Sequence, residues 1–308
     1  MNAMLNPPYK FTRRSVQFVS GETYCSAWLY LPTGVEKAPV VVLGHGLGAV
    51  REMRLDAYSE RFASAGIAAL AFTYRYFGDS GGTPRQLMSV RRQLADWDAA
   101  LEFIKASPEV DGSRVAIWGS SFGGGHAIQV ASRHPELKAA ISQCPFTDGL
   151  ESATALGLRA SLQITPVVMR DFAARLFGRA PVMVPIAALP GQPALMNAHD
   201  ALPGYLALMP NGMRFINHVA ARVIPEIVSY RPGRHAAKVK FPILFCVSRT
   251  DTVTPPERTV AMASRAPRGE TRLYDCGHFD FYLGDHFEQA VADQTEFLTR
   301  HLLAPLAP

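Results

Sequence analysis

The stretch Val115-Ala116-Ile117-Trp118-Gly119-Ser120-Ser121-Phe122-Gly123-Gly124-Gly125-His126-Ala127-Ile128-Gln129-Val130 decides the reading of this chain. Val115–Trp118 is a short run without a polar break, the pattern of a strand buried on both faces of a parallel sheet. A helical run follows, reaching to about Arg133. Between them lies the pattern Gly-x-Ser-x-Gly, at 119–123. A reactive serine needs this order of strand, sharp turn and helix. The turn presents the hydroxyl at the end of the sheet, and the helix N-terminus brings its positive dipole end toward a developing oxyanion. Glycines on either side suit a crowded turn and a helix packed close to its strand. Ser121 is therefore the candidate nucleophile.

The same pattern occurs again at Gly78-Asp79-Ser80-Gly81-Gly82. There the context is missing, because the loop continues through Thr83-Pro84 with no immediate helix. This copy resembles the serine signature of chymotrypsin-like proteases, which are all-β and order their residues His, Asp, Ser. The alternation of strands and helices described next does not fit that class, and Ser80 reads as a polar residue of a Gly-rich turn.

Working outward, Val16–Val19 and Cys25–Leu31 read as a hairpin turning at Ser20-Gly21-Glu22. Val40–Leu43, Ile67–Thr73, Ala139–Cys144, Ile243–Val247 and Thr271–Tyr274 read as further strands. Helices are expected from about Glu52, from about Ser89, after Ser121, and at the C-terminal end. For the last, Asp285 with Glu288 resembles a capping box. Strands alternating with helices imply a mostly parallel sheet covered on both faces. The alternation stops between about Gly149 and Ala237, a segment rich in Pro, Met and Leu and far longer than a usual connection. Val167–Leu176 and His218–Val228 within it look helical. The expected organisation is a core of residues 1–148 and 237–308, with an inserted cap or lid at 149–236.

A serine hydroxyl cannot attack unaided; it needs a base whose pKa lies near working pH, usually histidine. His278 follows a short strand within Asp275-Cys276-Gly277-His278-Phe279, where a loop leaving the sheet's C-terminal edge can reach the elbow. Activity should then fall as the imidazole protonates, below about pH 6–7. The base in turn needs a carboxylate to hold its tautomer. Asp251 lies just past Ile243–Val247 and gives the chain order Ser121, Asp251, His278. Asp148, after Ala139–Cys144, is the competing carboxylate. Two donors must meet the oxygen that gains charge. One is assigned to the backbone N–H of Phe122. The other is assigned to Leu47 N–H, in the loop Gly44-His45-Gly46-Leu47-Gly48, with His45 and Gly46 supporting it. His45 is the alternative base, against the simpler reading that it bonds within its own loop.

Taken together, His45-Gly46-Leu47-Gly48, Gly119-Ser120-Ser121-Phe122-Gly123, Asp251 and Gly277-His278 resemble the α/β-hydrolase superfamily. The resemblance runs from about Ser15 to the end, apart from the insert. Trp118–Gly124 and Gln143-Cys144-Pro145-Phe146 look like its dienelactone-hydrolase-like and peptidase-like esterase branches. Tyr74–Ser80 resembles the superfamily's pocket-shaping loop after strand four, with Thr73 where an Asp is usual. Dienelactone hydrolases proper use a Cys nucleophile, and Ser121 departs from that. The resemblance implies a mostly parallel, eight-stranded sheet flanked by helices, with an inserted, mainly helical lid. It also implies a serine hydrolase acting on a carboxylic ester, lactone or thioester through a Ser121 acyl-enzyme. A peptidase or amidase of the prolyl-peptidase-like type, or a non-catalytic ligand-binding relative, are the alternatives.

Composition narrows the partners. The chain has 308 residues, 48% hydrophobic and 19% charged, with net charge +5, an ordinary globular balance. Its basic residues are dispersed, which argues against nucleic acid. No apolar run is long enough for a membrane span. Cys25, Cys144, Cys246 and Cys276 form no C-x-x-C, and Met1–Phe11 lacks a signal-peptide pattern, so a reduced, cytoplasmic protein is expected. No metal-ligand spacing and no phosphate-binding loop occur, and no cofactor is expected. The expected partner is a small ester-type substrate with an apolar group facing lid residues such as Val167, Met169, Leu206 and Leu208. A homodimer is possible by analogy with the fold.

Overall fold

The computed structural model describes residues 9–151 and 158–303. An eight-stranded sheet runs in the order β1-β2-β4-β3-β5-β6-β9-β10. Its strands are β1 (Phe11–Ser20), β2 (Thr23–Pro32), β3 (Ala38–Gly44), β4 (Ala68–Phe72), β5 (Val110–Ser120), β6 (Ala139–Gln143), β9 (Ile243–Ser248) and β10 (Gly269–Tyr274). β1 and β2 pair antiparallel, as do β2 and β4. All other pairings are parallel. Every residue of β3, β4, β6 and β9 is buried. That burial explains why these strands read as continuous apolar runs rather than as alternation.

Helices α1 (Leu55–Ser64), α2 (Val90–Ala106), α3 (Phe122–Ala131), α7 (Pro256–Ala263) and α8 (Gly284–Leu302) flank this sheet. α1 packs with α8, and α2 with α3, which makes the two covering layers. The chain leaves β3 for β4 on one side and later returns to form β5 on the other. That reversal opens a crevice at the C-terminal ends of β3 and β5, the place where open α/β sheets bind ligands.

Between β6 and β9 the chain forms α4 (Leu158–Leu176), the two-stranded antiparallel pair β7 (Met183–Val184) and β8 (Val219–Ala220), α5 (Ala201–Ala207) and α6 (Ile224–Ser229). Asp171 of α4 takes both Nε and a terminal nitrogen of Arg222, at 2.9 and 2.7 Å, and so fastens α4 to the segment after β8.

Two local expectations fail for identifiable reasons. His218–Val228 is not one helix: Val219–Ala220 joins a strand pair, Ala221–Val223 is a 3-10 turn, and α6 begins only at Ile224. Pro225 accounts for this, since proline fits the first turn of a helix and not its interior. Asp285 and Glu288 do not form a capping box. Leu283 precedes the helix with no side-chain cap, and Glu288 pairs with Arg61 instead. Asp285 still lies in the first turn, where a negative charge favours the dipole.

Candidate active site

Ser121 sits between β5 and α3 with φ 55° and ψ −119°. This conformation is uncommon for a residue with a side chain and marks a strained turn. Two contacts hold the turn. Ser121 N–H donates to Gln143 O at 2.9 Å, and Phe146 N–H donates to Ser121 O at 2.9 Å. The flanking glycines are needed for space. A Cβ on Gly119 would stand 2.0 Å from Gly123 O, and one on Gly123 would stand 2.4 Å from His45 O. The helix thus packs against both its own strand and the loop after β3.

The turn brings Ser121 Oγ to 3.0 Å from Nε2 of His278. Nδ1 of the same ring lies 2.7 Å from Asp251 Oδ2. Asp251 Oδ1 accepts from the N–H groups of Val253 and Thr254, at 2.8 and 2.7 Å, and Oδ2 accepts from the Thr254 hydroxyl at 2.8 Å. Burial opposes ionisation of Asp251, but the His278 charge and these hydrogen bonds outweigh it and hold the carboxyl below its ordinary value. Burial also works against a charged His278. The facing Asp251 carboxylate overrides it and raises the imidazole well above the ordinary histidine value. The serine, histidine and carboxylate expected from the sequence are therefore one hydrogen-bonded chain.

The competitors are engaged elsewhere. Ser80 is buried; its hydroxyl accepts from Ser26 N–H at 2.8 Å and donates to Thr73 O at 2.7 Å. Asp148 accepts from Leu150 N–H at 3.0 Å and faces Arg231. His45 Nδ1 lies 3.0 Å from Gly46 O in its own loop, and Nε2 accepts from Tyr74 N–H, after β4, at 3.5 Å. Burial lowers its pKa to about 4, so it is a neutral ring donating through Nδ1.

The loop after β3 brings Gly46 beside Ser121, where a Cβ on Gly46 would lie 3.1 Å from Ser121 Cβ. Among the described residues, neither Leu47 N–H nor Phe122 N–H has a backbone acceptor. For Phe122 this follows from its place as the first residue of α3, since the first N–H groups of a helix have no intrahelical partner. Both residues line a cavity of about 200 Å3 that opens on Ser121. A single water needs only ~10–15 Å3. Phe146, Leu195, Met196, Ile224, Ile227 and Val228 give its walls an apolar character, and Asn197, Thr252 and Thr254 add polar groups. A much smaller pocket lies on the other side of Ser121, against His45, Gly46, Tyr205 and His278.

Behind the serine is a buried polar cluster that the sequence did not signal. Ser120 Oγ accepts from Gln143 Nε2 at 3.1 Å and from the Tyr282 hydroxyl. Gln143 Oε1 accepts from Gln294 Nε2 at 2.7 Å, and Gln294 Oε1 accepts from Trp118 Nε1 at 2.7 Å. These partners come from four distant segments, so no local pattern could announce them. Thr254 was also missed, although an Asp-x-x-Thr spacing after a strand is a legible signal for a hydroxyl folding back on a carboxylate. Among the described residues, Cys144, Asp251 and His278 place metal-ligand atoms within 4.8 Å of one another. The Asp251 and His278 atoms are committed to each other.

Residues 35–279 match the family model described as serine aminopeptidase, S33. The chain belongs to this α/β-hydrolase family. It is 48% identical to the quorum-quenching protein AidA of Acinetobacter baumannii, over 92% of this chain and 94% of that protein. It is 24% identical to a thiohydrolase of Eupenicillium brefeldianum, over 93% of this chain and 94% of the relative. The crystal structure of the α/β-hydrolase GrgF from Penicillium sp. sh18 shares the family fold with it, at a TM-score of 0.83. That match has 23% identity and covers 95% of this chain and 99% of that one. No helix among the described residues is long and apolar enough to cross a membrane.

Proposed function

We propose that the protein hydrolyses a carboxylic ester, lactone or thioester with an apolar acyl group, through an acyl-enzyme on Ser121. The carrying observation is the chain of hydrogen bonds from Ser121 Oγ to His278 Nε2, at 3.0 Å, and from His278 Nδ1 to Asp251, at 2.7 Å. In this reading Ser121 Oγ bonds to the carbonyl carbon as its proton passes to His278 Nε2. The carbonyl oxygen becomes an oxyanion and accepts from Leu47 N–H and Phe122 N–H. The carbonyl–heteroatom bond then breaks, and the leaving group takes the proton from His278. Water, giving a proton to the same nitrogen, then bonds to the acyl carbon; the Ser121 Oγ–acyl bond breaks, and Oγ takes that proton back from His278 as the acid leaves.

The two pockets flanking Ser121 support an orientation. The leaving group must reach His278, which lines the small pocket and not the large one. The acyl chain therefore takes the larger apolar cavity. The names of the quorum-quenching and thiohydrolase relatives fit transfer of an acyl group to water, with lactones and thioesters beside simple esters. The division into a core of 1–148 and 237–308 and a cap at 149–236 belongs to this proposal, with the cap supplying Leu195, Met196, Ile224, Ile227 and Val228 to the acyl wall.

The deciding experiment is hydrolysis of p-nitrophenyl esters from acetate to dodecanoate by wild type, Ser121→Ala and Ser80→Ala, with fluorophosphonate labelling of each. Activity and labelling that vanish only in Ser121→Ala uphold the proposal. A wild type that cleaves none of the esters and takes no label sinks it, and amide cleavage or ligand binding without catalysis would replace it.

A further inference from the structure

The loop that carries Leu47 holds Gly46 O from within, through His45 Nδ1 at 3.0 Å and Ala49 N–H at 3.4 Å, but not Leu47 O. Glycines stand on both sides of Leu47, at 46 and 48, and Gly48 has φ +63°. Such a segment has more backbone freedom than any other residue type allows, yet an oxyanion donor is useful only when placed within a fraction of an ångström. A misplacement of ~1 Å can cost about 100-fold in rate. The restraint on Leu47 O comes from the segment between β6 and β9. The Tyr205 hydroxyl, on α5, donates to Leu47 O at 2.6 Å. Tyr205 is buried, and burial pushes its phenol pKa well up, so it remains a neutral donor. On the other side of the loop Ile186 packs so closely on Gly48 that a Cβ there would stand 2.3 Å from its Cδ1.

The same helix reaches the other two loops of the site. Gly204 lets α5 lie against the Phe279 ring, which a Cβ would meet at 2.2 Å, and Phe279 follows His278. The Tyr205 ring itself meets Phe279 edge-on at 5.4 Å and stacks on Phe215 at 4.8 Å. Asp200, just before α5, accepts from the hydroxyl of Thr252, the neighbour of Asp251. One short helix thus touches the segments that carry Leu47, Asp251 and His278.

We propose that Tyr205 is a positioning residue for the oxyanion hole: its hydroxyl pins the Leu47 carbonyl, and through it the direction of the Leu47 N–H. The proposal rests on the acyl-transfer reading above. The Tyr205 ring lines the small pocket beside His278, but its hydroxyl is bonded to Leu47 O and acts through it. Its hydrogen bond restricts rotation at Leu47, whose N–H lies on the preceding peptide plane and swings with that rotation. The expected signature is a loss confined to the transition state.

The test is Tyr205→Phe, which keeps the ring and removes the donor, assayed on a p-nitrophenyl ester of the preferred length. A fall in kcat of about 10–100-fold is expected, below the ~100–1,000-fold cost of removing an oxyanion donor outright. KM should stay within about twofold, and the acid limb of the pH profile, which belongs to His278, should not move. Affinity for a trifluoromethyl ketone, which forms the tetrahedral adduct, should weaken by the same factor as kcat/KM. Affinity for the carboxylate product should not change. An unchanged kcat, or equal weakening of ketone and carboxylate, overturns the proposal. Should Tyr205→Phe fail to fold, Phe215→Ala answers the question. It removes the ring stacked on Tyr205 from a half-buried position and should give a smaller loss of the same kind; kcat equal to wild type would overturn the proposal. Failure of the underlying reading looks different, because the wild type itself would then cleave no ester and take no fluorophosphonate.

Discussion

The two walls that meet at Ser121 are built from opposite materials. On the sheet side, Ser120, Gln143, Gln294, Trp118 and Tyr282 form a network of buried hydrogen bonds that also reaches Tyr58. On the other side, Leu195, Met196, Ile224, Ile227 and Val228 present apolar surface to the cavity. Directional bonds hold a backbone turn at one geometry, which suits a strained serine. Apolar contacts are non-directional and tolerate repacking, which suits a surface that selects among acyl chains. On the proposed function, the difference is a division of labour: the sheet edge would fix the chemistry, and the segment between β6 and β9 the choice of substrate. Tyr205, donating to Leu47 O, is a point where the two walls are tied together.

The largest effect that could break this division is at the sheet wall. Ser121→Ala and His278→Ala should each lower kcat by about 10,000-fold or more, with circular dichroism and thermal melts close to wild type. Substantial activity left in a folded Ser121→Ala protein would move the chemistry off this wall.

Asp251→Asn comes next, with an expected loss of ~100–10,000-fold in kcat. It also sharpens the electrostatic argument. The Asp251 carboxylate raises His278 well above the ordinary histidine value. The active form needs a neutral imidazole, so kcat/KM in the wild type should rise with pH through a midpoint above ~6.5. In Asp251→Asn the residual activity should show that limb shifted toward acid. The stability linkage runs the other way. A raised histidine pKa adds stability that is fully present below the unfolded value and is lost as pH rises through the folded one. The depressed Asp251 carboxyl adds stability present above its unfolded value and lost as pH falls through the folded one. A pH–activity profile that stays flat down to pH ~5 would remove His278 from the role of base.

How much of this was legible follows from the range over which each feature is decided. Val40–Leu43, Val115–Trp118 and Ile243–Val247 declare buried strands by local composition alone, and Gly119–Gly123 declares the turn because strand, turn and helix adjoin in sequence. Asp251 and His278 could be read because each follows a strand whose end faces the same crevice. The segment between β6 and β9 has no such frame. Its Pro166 lies inside α4, and its helices are set by long-range ties such as Asp171 with Arg222. The Tyr205–Leu47 bond spans 158 positions, and the cluster around Ser120 joins residues from Trp118 to Gln294. Periodicity carries no record of such pairings.

On the opposite wall, Ile227→Trp should fill part of the apolar cavity. The ratio of kcat/KM for dodecanoate to that for acetate should fall about 10-fold or more, in line with the ~1–3 kcal/mol that a methylene or two is worth in such a pocket. A ratio equal to wild type across the ester series would mean that the acyl chain does not occupy this cavity, and would detach substrate choice from this wall.

The smallest expected effect tests whether the second Gly-x-Ser-x-Gly belongs to either wall. The Ser80 hydroxyl accepts from Ser26 N–H of β2 and donates to the carbonyl of Thr73, just after β4. It is a bracket between two neighbouring strands, in a loop where Arg51 also takes both oxygens of Asp79, at 2.6 and 2.7 Å. Ser80→Ala leaves the Ser26 N–H buried without that acceptor, and an unsatisfied buried donor costs ~1–3 kcal/mol. The urea midpoint should therefore fall at an unchanged m-value, while kcat and KM per folded molecule stay at wild type. The opposite pattern, unchanged stability with lost turnover, would place Ser80 in the chemistry. It would then make the loop after β4, rather than the turn after β5, the working edge of the sheet. Both hydrogen bonds of the Ser80 hydroxyl run to backbone groups, Ser26 N–H in β2 and Thr73 O just after β4, and neither to a histidine, and that is why the stability loss is the expected result.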